Sequence, residues 1–214
     1  VQVYRYADGN LLEVFGTDRM QMPTAITLGP DGEIYVTDSK SNRVWVYDAN
    51  YQYLRAIGTP GIGEENIRFP IDTEVVSVDV GGTVSYEVYV ADQGNKRVQV
   101  YDRAGNWLRS ITFEGTEGQN CNWFTGECEV PGAPAFNRLQ ALHFDTAGRL
   151  HVLDNFGAAV VMFDPADGSF LGTYGSYGIE AGTLRVPLDV VVSGANTAVV
   201  TAGDGDRIEM FTTQ

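Results

Sequence analysis

The sequence predicts an all-β fold, a β-propeller of four-stranded antiparallel blades. Three observations point to it. First, three stretches are near-copies of one another: IYVTDSKSNRVWVYDANYQYLRAIG over 34–58, VYVADQGNKRVQVYDRAGNWLRSIT over 88–112 and LHVLDNFGAAVVMFDPADGSFLGTYG over 150–175. The core unit is about 45 residues, a set of short strands that cannot bury its own faces and must stack on copies of itself. Second, the copies are runs of Val, Ile, Tyr and Trp bounded by Asp-Gly, Ala-Gly and Asn turns, which is hairpin patterning. Third, no stretch of about a dozen residues keeps the three-and-four apolar spacing of a helix without Gly or turn residues.

Within the first full unit, residues 25–28 form a short apolar strand and Pro30-Asp31-Gly32 a tight turn. Residues 33–37 are the second strand, 39–42 a polar loop and 44–47 the third strand. Asp48-Ala49-Asn50 turns the chain into the fourth strand at 53–57. Turn dipeptides recur in register: Asp31-Gly32, Gly81-Gly82 and Ala147-Gly148 after strand one, Ala104-Gly105 and Asp167-Gly168 after strand three. The third strands, Val44-Trp45-Val46-Tyr47 and Val98-Gln99-Val100-Tyr101, are apolar on both faces. A sheet with one wet face would alternate strictly, so each sheet is expected between two others.

The whole chain, 1–214, reads as one domain. Partial blades lie at 1–16 and 187–214, and an insertion lies at 113–136. The strand count is two, three sets of four, then three. The opening VQVY and the closing IEMF fall in the same slot of the repeat. About four blades are visible, and the expectation is an arc of a six-bladed ring rather than a four-bladed ring that closes irregularly.

Net charge is −14, from 14 basic and 28 acidic residues. Nucleic-acid affinity rests on Lys and Arg neutralising phosphates, so a nucleic-acid partner is not expected. No run of about eighteen apolar residues is present, so no helical membrane span is expected. Cys121 and Cys128 are the two cysteines and flank one short segment of the insertion. A local disulfide is expected there, ahead of free thiols or a metal site, and it favours an oxidising compartment, extracellular or periplasmic. The same insertion carries Asn120, Asn122, Trp123 and Phe124. These are the candidate binding residues, because aromatics on a stapled loop offer contact area at low entropic cost. The equal alternative is a small satellite core.

Aligned carboxylates recur at Asp38, Asp92 and Asp154, and again at Asp48, Asp102 and Asp164. A residue repeated in every blade is spread around the ring, so a local role is expected. Asp38 should accept backbone N–H groups or pair with Arg43, and Asp92 with Arg97. Asp72 and Asp189 share a slot at the start of strand one, nearest the axis. They are the one acidic pair worth testing for a central metal, although their equivalents Ala25 and Ala141 cannot ligate. His143 and His151 stand where Thr27 and Tyr35 stand in the first unit. With Asp145 they could in principle do acid–base work, but no hydrolase motif accompanies them.

The string Pro, Asp-Gly, Ile-Tyr-Val-Thr-Asp, Ser-Asn-Arg-Val-Trp-Val-Tyr-Asp, Leu-Arg-x-Ile-Gly resembles the NHL repeat. The segment Gly175-Ser176-Tyr177-Gly178 to Pro187 resembles its glycine-rich connection. The resemblance implies a β-propeller, commonly of six blades. The third unit departs from it, with Ala158-Ala159 for Asn-Arg and Leu139 for Pro. Some such propellers bind RNA on a basic face, which this composition opposes. Some propellers of related shape are calcium-dependent lactonases or lyases. The functional expectation is a non-enzymatic secreted or periplasmic module for protein binding or scaffolding, possessing no cofactor, and a subunit of a larger extracellular assembly. The alternative is a metal-dependent hydrolase or lyase with its site in the axial channel.

Overall fold

The computed structural model describes residues 1–113, 136–193, 197–203 and 207–212. The β-branched and aromatic runs form strands in the predicted order. A two-stranded pair, β1 (Gln2–Tyr4) and β2 (Leu11–Val14), opens the chain. Blade 1 is β3 (Pro23–Leu28), β4 (Ile34–Asp38), β5 (Arg43–Tyr47) and β6 (Tyr53–Ile57). A short parallel pair, β7 (Thr59–Pro60) and β8 (Asn66–Ile67), leads into blade 2. Blade 2 is β9 (Pro70–Val80), β10 (Thr83–Asp92), β11 (Arg97–Asp102) and β12 (Trp107–Ile111). Blade 3 is β13 (Leu139–Phe144), β14 (Leu150–Asp154), β15 (Ala159–Phe163) and β16 (Phe170–Tyr174). Blade 4 is β17 (Pro187–Ser193), β18 (Thr197–Ala202) and β19 (Arg207–Thr212). Each blade is an antiparallel meander in chain order. Among the described residues the one helical element is a 3-10 turn at Gln93–Asn95.

Strand one of each blade is the inner strand. β3 packs beside β9, β9 beside β13 and β13 beside β17. The blades stack face to face, which explains why their middle strands are apolar on both sides. All five residues of β4 and of β14 are buried. Tyr35, Val44 and Val46 of blade 1 pack on Val75, Val88 and Val90 of blade 2. Ala91 and Val98 meet Leu142, Val152 and Phe163 across the next interface. Leu153 and Val160 meet Val190, Val192 and Val200 across the last. Phe15 and Val3 close the near side of blade 1 over Ile34 and Val36. Each fully buried Val, Leu, Ile or Phe among them contributes about 1.5–3 kcal/mol. Ile26 and Leu28 of β3 and Ile208 and Met210 of β19 remain exposed.

Arginine–carboxylate clamps tie the outer parts together. Glu33 of blade 1 holds Arg55 of its own blade and Arg103 of blade 2, the latter at 2.7 Å. Glu87 holds Arg109 at 2.8 Å, and Arg109 reaches across to the Pro165 carbonyl of blade 3 at 2.7 Å. In the corresponding place in blade 3, Asp145 accepts from Arg149 at 2.6 Å and lies 3.1 Å from His151. Burial alone would raise the Glu33 carboxyl. Hydrogen bonds from Arg55, Arg103 and Tyr35 overcome it and hold the group at about 2.

Candidate binding site at the blade axis

The inner strands of all four blades begin around one cavity of about 440 Å³. Thr24 and Ile26 come from blade 1, Ile71 and Asp72 from blade 2, Gln140 from blade 3, Leu188 and Asp189 from blade 4. Local sequence sets the geometry. Pro70 and Pro187 start β9 and β17, and the Asp two residues on turns its carboxylate onto the next backbone N–H. Asp72 Oδ1 accepts Thr73 N–H and Asp189 Oδ1 accepts Val190 N–H, both at 2.8 Å. The second oxygen of Asp72 crosses to blade 3 and accepts Leu142 N–H at 2.8 Å.

Burial pushes the Asp72 carboxyl up to about 7, against the two N–H donors, and the neighbouring Glu74 and Asp189 add repulsion. His143 lies beside this group. Its Nδ1 is 3.8 Å from Glu74 Oε1 and its Nε2 is 3.4 Å from the Val192 carbonyl oxygen. The Glu74 contact raises the His143 pKa, against burial.

The two histidines are direct cross-strand partners on β13 and β14, and their rings take different contacts. His151 is fully buried, with Nε2 facing Asp145 and Nδ1 3.0 Å from the Tyr174 hydroxyl. Burial lowers its pKa although Asp145 pulls it the other way. His143, Asp145 and His151 are thus neighbours, but His151 and Asp145 are buried and bonded to each other.

The repeated carboxylates hold the blades, as their spacing implied. Asp38 accepts N–H groups from Gln21, Met22, Lys40 and Ser41. Asp154 does the same for Asn137, Arg138, Phe156 and Gly157. Asp48, Asp102 and Asp164 cap the turns after the third strands. Asp92 pairs with Arg97 at 3.0 Å. Of the two roles expected for Asp38 the structure shows the first: Arg43 donates instead to the Gly58 carbonyl, while the indole of Trp45 faces Asp38.

Of the residues singled out in sequence, Asn120, Cys121, Asn122, Trp123, Phe124 and Cys128 lie outside the described residues. The axial pair Asp72 and Asp189 is brought to one cavity. Sequence reasoning missed Gln140 and Glu74. Glu74 could have been found, because it stands two residues past Asp72 on the same strand face.

Stacked four-stranded meanders around a shared inner line define a β-propeller protein. Residues 20–47, in blade 1, match the model of the NHL repeat. The human protein "NHL repeat-containing protein 3" is 30% identical over 114 residues, covering 47% of this chain and 31% of the relative. The mouse protein of the same name matches to the same extent. The chain thus spans about a third of the length of these curated relatives. Among solved structures, an inactive H270A virginiamycin B lyase from Staphylococcus aureus aligns over 95% of this chain and 60% of its own. Its TM-score is 0.55 at 13% identity. Hydrazine synthase of Kuenenia stuttgartiensis aligns over 97% of this chain and 49% of its own, with TM-score 0.59 and 14% identity. U3-55K aligns over 90% and 49%, with TM-score 0.59 and 10% identity. At these identities the likeness is one of fold.

Proposed function

We propose that this chain is a non-enzymatic, secreted or periplasmic propeller that binds a protein partner or scaffolds a larger extracellular assembly. One observation carries the reading: four blades bring their inner-strand starts to one open cavity, while the repeated carboxylates and arginines elsewhere are engaged in holding blades together. Propellers of the NHL and WD40 kind commonly serve as interaction modules. The two cysteines of one insertion favour the oxidising compartment, and the acidic balance suits a basic partner. The insertion around Trp123 and Phe124 is proposed to add to the contact surface. Deleting residues 119–129 should leave the far-UV circular dichroism spectrum unchanged and abolish capture of a partner from the native source. Undiminished capture would refute the role of the insertion, and absence of any capture by the intact chain would refute the binding reading. The axial placement of Asp72 and Asp189 is what speaks for the second reading, a metal-dependent hydrolase or lyase. Stoichiometric calcium or zinc in the purified protein, by elemental analysis, would favour it.

A further inference from the structure

We propose that the axial cavity receives the side chain of an arginine or lysine presented by the protein partner. The proposal rests on the protein-binding reading and names the chemistry recognised at the same site.

The other clamped carboxylates of the blades show what this molecule does with such groups. Glu33 has Arg103 at 2.7 Å, Glu87 has Arg109 at 2.8 Å, Asp92 has Arg97 at 3.0 Å and Asp145 has Arg149 at 2.6 Å. Asp72 has no cation against it among the described residues. Its donors are two backbone N–H groups. A carboxylate taken out of water without a counter-charge is costly, and an arriving cation removes that cost. Asp189 repeats the same local turn from blade 4, and its Oδ2 accepts no hydrogen bond among the described residues.

The remaining lining suits a long basic side chain. Thr24 and Gln140 add polar lining from blades 1 and 3, and the Gln140 amide carries an acceptor oxygen. Ile26, Ile71 and Leu188 supply apolar wall for a methylene stem whose charged head meets the carboxylates. A guanidinium matches several convergent acceptors with its fork of N–H donors. A divalent metal asks for more charged ligands than gather here. Among the described residues no group of three His, Cys, Asp or Glu side chains could hold one.

The test uses the whole chain with three probes: the blocked peptide acetyl-Gly-Gly-Arg-Gly-Gly-amide, the same peptide with Gln for Arg, and calcium chloride. The readout is the amide resonances of Thr73, Leu142 and Val190, whose N–H groups sit on or beside the two carboxylates. The Arg peptide should shift all three saturably and the Gln peptide should not. Asp189→Asn should weaken the Arg peptide about tenfold or more, and Asp72→Asn likewise. Asp79→Asn, at the far turn of β9, should leave binding unchanged. The charged and titratable groups around Asp72 are Glu74 on its own strand, His143 on β13 and Asp189 on β17. With Asp72 titrating at about 7, binding should weaken about tenfold from pH 8 to pH 6, and His143→Gln should keep that slope. Equal shifts with the Gln peptide, no shift with either, or shifts with calcium alone would overturn the proposal. Partner capture that survives Asp72→Asn and Asp189→Asn would overturn it too while leaving the binding reading standing.

Discussion

Trp45 donates its indole N–H to Asp38 at 3.3 Å, while in the next blade Arg97 donates to Asp92 at 3.0 Å. The two carboxylates fill one slot of the repeat, yet their side-chain partners come from different positions. Blade 3 has Ala159 and Val161 where these donors would stand, so Asp154 is held by backbone N–H groups. What the three blades share is the backbone latch. It joins the segment before the inner strand to the carboxylate that ends the second strand.

That latch gives a graded prediction at Asp154. Its Oδ1 accepts Arg138, Phe156 and Gly157, and its Oδ2 accepts Asn137. Asp154→Ala strips four N–H groups of their acceptor and should cost roughly 3–5 kcal/mol in urea unfolding. Asp154→Asn keeps an oxygen for three of them and should cost only about 1–2 kcal/mol. Equal losses for the two variants would show that charge, not N–H satisfaction, is what matters.

The Glu33 clamp predicts a pH dependence. The folded carboxyl titrates at about 2, below its ordinary 4.5, because Arg55, Arg103 and Tyr35 outweigh burial. A depressed carboxyl stabilises above its unfolded pKa and loses that contribution as pH falls through the folded one. Wild type should therefore exceed Glu33→Gln by roughly 2–3 kcal/mol at pH 7, with the gap closing between pH 4.5 and pH 2. Urea midpoints at pH 7, 4 and 2.5 measure it. A gap that stays constant down to pH 2.5 would contradict the assignment.

Gly58 ends β6 with φ +83°, and a Cβ there would run into the side chain of buried Ile67. Gly175, at the same place in blade 3, has φ +84° with Leu184 in the corresponding position. Gly58→Ala should cost about 2–4 kcal/mol, from both the left-handed backbone and the clash. Combining it with Ile67→Val should return part of the loss in the same denaturation assay. No recovery would mean that the backbone conformation accounts for the whole effect.

The blade architecture was legible because strands, turns and glycines repeat at one spacing, and the predicted strands differ from the observed ones by a residue or two at their ends. The repeated Asp slots were legible as structural for the same reason. Arg43 was not, because its choice between Asp38 and the Gly58 carbonyl depends on Trp45, a residue particular to blade 1. The axial site was half legible. Asp72 and Asp189 stand out as a shared slot, but the Asp72–Leu142 bond joins residues 70 apart in sequence. Pairing over that distance is set by how blades stack, and no local pattern records it. Gln140 escaped because its slot is held by other residue types in the other blades.

His151 offers the last prediction. It stands where Tyr35 and Tyr89 stand in blades 1 and 2, and it keeps their kind of contact, a carboxylate on one side. Burial lowers its pKa below the ordinary 6.5 despite Asp145, so the folded state prefers it neutral. The unfolded chain then binds the extra proton first, and stability from this residue is lost as pH falls below 6.5. His143 and Asp72 act in the opposite sense. The Glu74 contact raises His143, whose contribution is present below 6.5 and lost as pH rises through its folded value. Burial raises Asp72 to about 7, so its contribution is lost as pH rises from 3.8 to 7. Total stability between pH 7 and pH 5 therefore mixes signs, and a single-residue comparison isolates the buried one. The stability of wild type minus that of His151→Gln should fall as pH drops from 7 to 5, while wild type minus His143→Gln should rise. Urea unfolding at half-unit pH steps measures both differences. A flat or rising His151 difference would mean that Asp145, not burial, governs that histidine.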